Sequence, residues 1–289
     1  MRHSIGCDPE LMLMRNNKLI SALSIIRGRK HRQQKVNGGT IMSDNVLAEF
    51  TIPPAGTDKE FVNNIRTVLA SLKSAVGEDV ELHAIPSANF PREELNDEEA
   101  KRFGCDPDYD AWYRKKNDMS SEAPFRTFRT AGGHVHIGHD IVKRSDEDRI
   151  NFTKLVDVFL GIPSILIDNH SDSKNRRKLY GKAGAHRPKP YGIEYRSLSN
   201  FWVCNPDLSA LIFNLSVRAL QVYAKEGTRI IDELTQKRII SVINKSMRDE
   251  ALEIVEVYLA PKLGKRLTKK VLNASVGTED RNIKENWKL

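Results

Sequence analysis

Two acidic residues within one hydrophobic strand segment constrain the fold of this chain more than any other feature of its 289 residues. Residues 4–14 alternate as a β-strand does, so that Ile5 and Cys7 face one way while Asp8 and Glu10 face the other. Two carboxylates this close repel each other, and the repulsion raises their pKa values unless a cation lies between them. Oxygen ligands of this kind suit magnesium. The segment therefore predicts a β-sheet that carries either an exposed acidic face or a metal site.

The rest of the hydrophobic pattern changes between strand and helix periods along the chain. After a hairpin turn at Asn16-Asn17, further strands are predicted at 19–23, 46–52, 80–85, 133–138 and 192–199. Helices are predicted at 61–76 behind a capping box at 57–60, at 93–103, at 145–160, from Asn205-Pro206 onward and through most of the stretch to 272. Residues 27–40, which are basic and end in two glycines, are predicted as a loop.

These elements indicate an α+β fold with an antiparallel sheet and a helical C-terminal part. No internal repeat or low-complexity linker interrupts the chain, so a single domain over residues 1–289 is the economical interpretation. The sheet-containing core is predicted to occupy about 1–227, and a helical extension 228–289.

Composition narrows the class of protein. The hydrophobic content of 39% is enough for a large core, and the longest apolar runs fall short of a membrane span. Cys7, Cys105 and Cys204 are odd in number and widely spaced, which favours reduced thiols over a disulfide framework. We therefore expect a cytoplasmic protein without membrane association, and homo-oligomer formation stays open.

The net charge of +8 is unevenly distributed. Basic clusters lie at 27–35, 174–189 and 265–270. The first and third are interpreted as solvated faces, and an acidic macromolecule stays open as a partner. The second contains Arg177, Lys182 and Arg187 together with two glycines, a combination that suits a loop folding over a polyphosphate.

A second polar strand segment carries the sequence Gly-Gly-His-Val-His. The strand period places His134 and His136 on one face, and the preceding glycines allow a ligand to approach the backbone. A His-x-His pair is typical of zinc sites, but no cysteine pair lies nearby to complete one. The acids elsewhere favour a mixed carboxylate and imidazole site, with a solvent-facing histidine pair as the alternative.

Two further segments place acids within strands. Glu49 is a single acid inside a hydrophobic run, and Glu194 shares a strand face with Arg196. The second pair fits a cross-strand salt bridge, or a carboxylate that binds a metal beside a guanidinium that binds phosphate. The sequence lacks the patterns of the common dinucleotide-binding, P-loop, serine-hydrolase and dithiol-redox sites.

Taken in their order, these segments resemble the glutamine synthetase and glutamate–cysteine ligase superfamily. Within it, the chain is most similar to the bacteriophage amidoligases, also called carboxylate–amine ligases. The likeness spans roughly the first 200 residues. It is carried by GCDPELML at 6–13, AEFTIPPA at 48–55, FGCDPDYDAW at 103–112, AGGHVHIG at 131–138, YGKAGAHR at 180–187 and GIEYRSLSNFW at 192–202.

The resemblance implies a role for individual residues. The metal ligands that it implies are Asp8, Glu10, Glu49, His134 and Glu194. Arg196 matches an arginine that faces phosphate or substrate, and Arg187 and Arg177 are implied to act with it in catalysis. Contact with ATP is implied for Lys182, Arg187 and Arg177. The sequence also departs from the pattern, since Asp8 replaces a longer glutamate and a proline separates the two acids.

The resemblance further implies a catalytic domain of the glutamine synthetase type, with helices on the outer face of the sheet. The implied reaction joins a carboxylate to an amine through an acyl phosphate and releases ADP and phosphate. ATP and Mg²⁺, or Mn²⁺ in its place, are the implied cofactors, and a phage-encoded protein would act in the host-cell cytoplasm. Two alternatives stay open: a metal-dependent nuclease or phosphodiesterase, and a basic nucleic-acid-binding protein without enzymatic activity.

Overall fold

Strands from distant parts of the chain build one large antiparallel sheet. The computed structural model describes residues 3–101, 108–117, 127–277 and 281–289. Its strands are β1 (His3–Arg15), β2 (Lys18–Ile20), β3 (Gln34–Val36), β4 (Gly39–Asp44), β5 (Leu47–Thr51), β6 (Glu81–His83), β7 (Ser87–Asn89), β8 (Tyr109–Asp110), β9 (Lys115–Lys116), β10 (Phe128–Thr130), β11 (Gly133–His139), β12 (Ala185–Lys189) and β13 (Gly192–Tyr195). Within the described ranges, eleven of them form a sheet in the order β3-β4-β5-β1-β11-β13-β12-β8-β9, with β2 and β6 also paired to β1.

Helices cover the sheet and make up most of the C-terminal part. They are α1 (Asp58–Val76), α2 (Glu98–Lys101), α3 (Asp140–Lys143), α4 (Asp146–Val156), α5 (Ile162–Ile167), α6 (Ser173–Leu179), α7 (Pro206–Glu226), α8 (Arg229–Leu234), α9 (Gln236–Lys245), α10 (Arg248–Glu253), α11 (Ala260–Leu263), α12 (Lys265–Asn273) and α13 (Lys284–Trp287). Short 3₁₀ turns lie at Ala22–Ser24, Arg92–Leu95 and Asn200–Cys204, and π-helical turns at Asp157–Gly161 and Ile254–Leu259.

The central position of β1 decides where the polar residues meet. Its first half pairs with β11 and a later part pairs with β5. Ile5 and Leu11, on the opposite face from Asp8 and Glu10, are fully buried in the main core. The sheet is therefore apolar on one face and carries a row of acids on the other.

Two long helices fill the apolar side. α1 buries Phe61 and Ile65, and the Phe61 ring lies 6.0 Å from the Trp202 ring and 5.6 Å from the Phe213 ring of α7. Full burial of each such side chain contributes about 1.5–3 kcal/mol. This layer supports β1 and β5 from beneath and leaves the acidic face uncovered by the main core.

One helical run passes through the core. Residues 146–167, which comprise α4, a π-helical turn and α5, are long and apolar enough to cross a membrane by length and composition, but 83% of the most apolar window is buried within the fold. A helix that is buried in a protein core can meet the same criteria of length and composition. The predicted helix end at Gly161 is wrong, because the backbone stays helical through the π-helical turn at Asp157–Gly161, and Pro163 lies in the first turn of α5 directly after it.

The predicted α+β class is confirmed, and several boundaries are corrected. Residues 27–40 are not a loop throughout, because β3 lies at the sheet edge and β4 begins at Gly39. A three-residue edge strand carries little hydrophobic signal. The strand predicted at 192–199 ends at Tyr195. The helix predicted at 93–103 is a 3₁₀ turn followed by α2, and its last two residues lie outside the described ranges, as does Cys105.

Candidate active site

Strand register brings the predicted acids and histidines onto one face of the sheet. The cross-strand pairs are Asp8 with His134, His136 with Glu194, Arg187 with Glu194, and Glu10 with Glu49. Residues directly opposite each other in antiparallel strands project to the same side. Acids that are almost 190 residues apart in sequence therefore converge. Whether these side chains can hold a metal ion depends on the distances between their oxygen and nitrogen atoms.

Ligand-type atoms of Asp8, His136 and Glu194 form a first tight group. One such atom from each residue lies within 4.8 Å of the other two. His136 Nε2 is 3.0 Å from Asp8 Oδ1. Asp8 and His136 are half-buried and Glu194 is fully buried. Two carboxylates and one imidazole at this spacing fit the ligand set of a divalent cation.

A second group consists of carboxylates alone. One oxygen from each of Glu10, Asp44 and Glu49 lies within 4.8 Å of the other two. The backbone N–H of Gly132 donates to Glu10 Oε2 over 2.5 Å, which fixes that side chain. An all-oxygen set suits magnesium, and neither group contains a cysteine among the described residues.

Asp44 was not predicted from the sequence. It ends β4, immediately before the two-residue turn into β5, and the turn residue Asn45 has a φ of 52°. Asparagine tolerates this left-handed conformation better than most residues. The available signal was an acid placed directly before a hairpin turn, but only the pairing of β4 with β5 brings it to Glu49.

The electrostatics of the second group fit a bound cation. Burial, with the neighbouring Asp44 carboxylate, raises the pKa of Glu10 to about 8. Burial and three nearby carboxylates raise the pKa of Glu49 well above its usual value. A divalent cation would favour the charged form of each group and so offset both increases. The residues present therefore fit a magnesium or manganese ion.

In the first group, the histidine offsets the effect of burial on the carboxylate Asp8. Burial alone would raise the pKa of Asp8, but His136 and His134 outweigh it and hold that pKa well below its usual range. Burial would lower the pKa of His136, yet the Asp8 carboxylate raises it overall. Burial and Asp8 together raise the pKa of Glu194. Because a metal binds imidazole only after its proton has left, metal binding and protonation compete at His136.

His134 lies beside the first group. Its Nδ1 is 3.4 Å from Asp8 Oδ1 and 3.9 Å from Glu194 Oε1, and the NH1 group of Arg196 is 3.3 Å from the same nitrogen. Burial, followed by the Arg196 charge, lowers the pKa of His134 to about 3, so the ring is neutral. Its role as a metal ligand stays a prediction, and the geometry favours His136, which we did not assign.

Arg196 connects the first group to an acid that sequence reasoning missed. It is almost fully buried, donates to Glu194 Oε1, and its Nε is 3.4 Å from Asp108 Oδ2. Its guanidinium carbon lies 5.2 Å from the centre of the Tyr180 ring. Asp108 belongs to the quoted segment 103–112, of which residues 103–107 lie outside the described ranges. No strand or helix pattern singled it out.

Two cations of β12 border the site. The NH1 group of Arg187 is 3.3 Å from Glu194 Oε1, and Lys189 Nζ is 2.7 Å from Glu194 Oε2. Arg187 was predicted to lie at the site, and the structure brings it there. Lys189 was not assigned, although its spacing of two residues from Arg187 on a strand gives both the same face.

The other basic residues of the predicted loop lie elsewhere. Arg177 is buried in α6, where its NH1 group donates to Ser246 Oγ over 3.0 Å. Arg176 donates to three backbone carbonyls, those of Ala131, Ser197 and Leu198. Lys182 is exposed. ATP contacts by Arg177 and Lys182 stay predictions, and the buried setting of Arg177 does not favour them.

Tyr191 fixes the orientation of the His136 ring. Its hydroxyl is hydrogen-bonded to Nδ1 of His136, and the two rings stack 6.0 Å apart at an interplanar angle of 30°. With Nδ1 engaged, Nε2 of His136 faces Asp8. Such outer contacts orient metal-binding histidines. Tyr191 is partly exposed and carried no motif that would have identified it.

Comparisons with known proteins agree with a ligase. A family model described as "Phage phiEco32-like COOH.NH2 ligase-type 2" matches residues 113–289. No curated protein matches the chain. Among solved structures, the fold is similar to that of a bifunctional glutathione synthetase from Pasteurella multocida, with a TM-score of 0.51 and 9% identity. The similarity covers 99% of this chain and 48% of the other, so this chain spans about half the length of that protein. At this identity the likeness concerns the fold alone.

Proposed function

Because the chain belongs to the phage phiEco32-like COOH.NH2 ligase-type 2 family, we propose that it joins a carboxylate to an amine at the expense of ATP. The observation that carries this proposal is the pair of ligand groups on one sheet face, bordered by cations. The family model covers β11, β12 and β13, while the acids of β1, β4 and β5 lie outside its matched range. Sheet pairing supplies them to the same site.

Two divalent cations would be held by these groups. Asp8, His136 and Glu194 would bind one, and Glu10, Asp44 and Glu49 the other, with His134 beside the first. Bound Mg²⁺, or Mn²⁺ in its place, would neutralise and align the phosphates of ATP. The acids alone would repel a polyphosphate, which is why we infer that they act through cations.

The arginines and the lysine would stabilise charge on the transferred phosphoryl group. Arg196, Arg187 and Lys189 all contact Glu194. A metal on Glu194 would loosen these contacts and free donors for a phosphate. A planar guanidinium matches two phosphate oxygens at once, which favours Arg196 and Arg187 for this role. Preorganised donors of this kind act where charge develops in the transition state.

The proposed reaction has two steps. A carboxylate oxygen of the acid substrate attacks the γ-phosphorus of ATP, the bond to the bridging oxygen breaks, and ADP leaves. The amine nitrogen then attacks the carbonyl carbon of the acyl phosphate, loses a proton and expels phosphate. One ATP is consumed per amide. The substrates are an acid and an amine, and an acidic macromolecule as one of them stays within the proposal.

We further infer membership of the glutamine synthetase and glutamate–cysteine ligase superfamily. The support is the order of the acid-x-acid strand, the Gly-x-His-x-His strand and the Glu-x-Arg strand, all on one antiparallel sheet. The cytoplasm is the proposed place of action, and the reduced state of the buried thiols Cys7 and Cys204 agrees with it.

One other activity is favoured by the same geometry. Paired divalent-metal sites also serve nucleases and phosphodiesterases. Such an enzyme would cleave a phosphodiester without ATP. The experiment below therefore includes single-stranded and duplex nucleic acids as substrates.

The test is a screen for ADP release with Mg²⁺, ATP, and panels of carboxylic acids and amines. We expect ADP and phosphate in equal amounts with a matching acid and amine, and loss of this activity in Glu49→Gln. Glu81→Gln, at an exposed glutamate that pairs with His83, is the matched control and should behave as the wild type. Nucleic-acid cleavage that needs Glu49 but not ATP would contradict the ligase proposal.

A further inference from the structure

A carboxylate lies in the core beneath the site, on the opposite side of β13. Asp157 begins the π-helical turn after α4 and is fully buried. Its Oδ1 accepts a hydrogen bond from the Tyr195 hydroxyl over 2.6 Å. Its Oδ2 accepts from Nε1 of Trp112 and from the backbone N–H of Gly184, each over 2.6 Å. A buried carboxylate is costly unless its hydrogen bonds are made, and here three short ones are.

Each of these donors belongs to a segment that carries a residue of the site. Tyr195 stands between Glu194 and Arg196, so its side chain points to the core while theirs point to the site. Trp112 lies just after β8, and Asp108, which contacts Arg196, lies just before it. Asp157 is therefore the common anchor of three segments that meet at the first ligand group.

Gly184 shows how closely these segments approach. It precedes β12, the strand of Arg187, and has a φ of +77°. A Cβ atom there would lie 2.7 Å from Cδ1 of Trp112 and 3.0 Å from the backbone nitrogen of Ala111. The absence of a side chain lets the N–H of Gly184 reach Asp157. The contact thus depends on a specific backbone conformation as well as on general packing.

A purely structural role is the alternative. Asp168 is a second buried carboxylate, paired with Arg281 and with the hydroxyls of Ser173 and Ser199, and it joins the C-terminal segment to the core. Asp157 differs in that no cation pairs with it among the described residues, and its partners are the segments of the site. A π-helical turn at this place agrees with a local requirement, since such turns often occur at functional sites.

We propose that Asp157 is a positioning residue, which fixes Glu194 and Arg196 through the hydroxyl of Tyr195 and fixes the start of β12 through the N–H of Gly184. This inference rests on the proposed function, because the metal and phosphate sites are what it positions. Loss of the hydrogen bond between Tyr195 and Asp157 would leave β13 in place but widen the range of positions that Glu194 adopts. Outer contacts of metal ligands typically affect metal affinity by about 10–100-fold.

The test measures Mn²⁺ binding, with free Mn²⁺ followed by electron paramagnetic resonance. Tyr195→Phe removes the hydroxyl alone, and we expect about tenfold weaker Mn²⁺ binding in one of two sites. Tyr223→Phe is the matched control, because it removes a hydroxyl that is bonded to Asp148 of α4 and to none of the six ligand-type side chains. Both variants should lose some thermal stability, whereas only Tyr195→Phe should lose Mn²⁺ affinity.

Two further variants separate geometry from charge. Asp157→Asn can accept from Trp112 and Gly184 through its oxygen and donate to the Tyr195 hydroxyl, so it should keep Mn²⁺ affinity close to that of the wild type. Asp157→Ala loses these three contacts and the longer one, of 3.5 Å, from Ser197 Oγ, and it should bind Mn²⁺ as weakly as Tyr195→Phe or more so. If Asp157→Ala fails to fold, Tyr195→Phe decides the matter alone. Wild-type Mn²⁺ affinity in folded Tyr195→Phe overturns the positioning role, while a wild-type protein that binds no Mn²⁺ overturns the proposed function itself.

Discussion

At the scale of single residues, the site is a balance between ligand-type side chains and nearby cations. The six side chains are Asp8, His136, Glu194, Glu10, Asp44 and Glu49. The first group contains an imidazole, His136, whose pKa the Asp8 carboxylate raises, and it borders three cations. The second group has no basic member, and its clustered carboxylates raise the pKa values of Glu10 and Glu49. We therefore expect substitutions in the second group to reveal metal dependence most clearly.

Asp44→Asn should weaken metal binding without weakening the fold. It removes one of three clustered carboxylates, so we expect Mn²⁺ affinity at one site to fall about tenfold or more. Without metal, the variant should be at least as stable as the wild type, because Glu10 and Glu49 lose a repelling neighbour. Calorimetric titration and thermal unfolding measure the two effects. The control is Asp79→Asn, at an exposed aspartate that pairs with Arg15. A lower melting temperature with unchanged Mn²⁺ binding would assign Asp44 to folding instead.

Arg196→Lys should reduce turnover far more than stability. Lysine keeps the charge but loses the planar fork that reaches Glu194, His134 and Asp108 at once. We expect kcat to fall by about 10²–10³-fold, as for the loss of one preorganised transition-state donor. Arg238→Lys, which alters a surface arginine that bonds to Glu250, should leave kcat unchanged. Equal kcat in the two variants would reduce the Glu194–Arg196 pair to a structural salt bridge.

Asp157 should make stability depend on pH. Burial, opposed by the hydrogen bonds of Tyr195, Trp112 and Gly184, raises the pKa of Asp157 to about 7 from its usual value of 3.8. Between these values the folded state keeps a proton that the unfolded state releases, so this group's stabilising contribution is full below pH 3.8 and is lost as the pH rises through about 7. The urea midpoint of the wild type should therefore fall relative to that of Asp157→Asn between pH 5 and 8. Parallel midpoints over this range would contradict the raised pKa.

The sequence identified those site residues that lie on strands with a clear alternation. Asp8, Glu10 and Glu194 could be placed because two residues along a strand restore the same face. Asp44 and Asp108 could not, because a turn and an irregular segment bring them to the site. The choice between His134 and His136 depends on the positions of their ring nitrogens, which alternation alone does not determine.

At the scale of elements, local signals predicted the ends of helices well where a cap is present. Thr57 accepts a hydrogen bond from the N–H of Glu60, and Gly77 ends α1, as the capping box and the glycine indicated. Gly161 and Pro163 led to a wrong prediction of a helix end. Their effect depends on whether the backbone can continue past them through a π-helical turn. The order of the strands could not be predicted from local signals either, since paired residues of β1 and β11 lie up to 136 positions apart in sequence, as His3 and His139 do.

The cap of α1 gives a prediction that concerns the element alone. Thr57→Ala removes the acceptor for the N–H of Glu60 and should lower the free energy of unfolding by about 1 kcal/mol. Thr67→Ala, inside the same helix, is the control and should be neutral or stabilising because alanine is the better helix former. Urea unfolding measures both. Mn²⁺ affinity should be unchanged in each variant, and a change in Thr57→Ala would show that α1 affects the metal site directly.

At the scale of the whole molecule, the fold separates two tasks. Long helices and the apolar sheet face provide stability. The polar face gathers acids from β1, β4, β5 and β13, histidines from β11 and cations from β12. The central claim is that this face activates a carboxylate with ATP.

Oxygen transfer tests that claim most directly. A matching acid substrate labelled with ¹⁸O in its carboxylate is incubated with Mg²⁺, ATP and the amine, and the products are analysed by mass spectrometry. Attack of the carboxylate on the γ-phosphorus predicts one ¹⁸O atom in each released phosphate, with ADP as the other product and one labelled oxygen left in the amide. Label in AMP would indicate an adenylate intermediate, and unlabelled phosphate would show that ATP hydrolysis does not proceed through the acid. Either of these results would contradict the acyl-phosphate account.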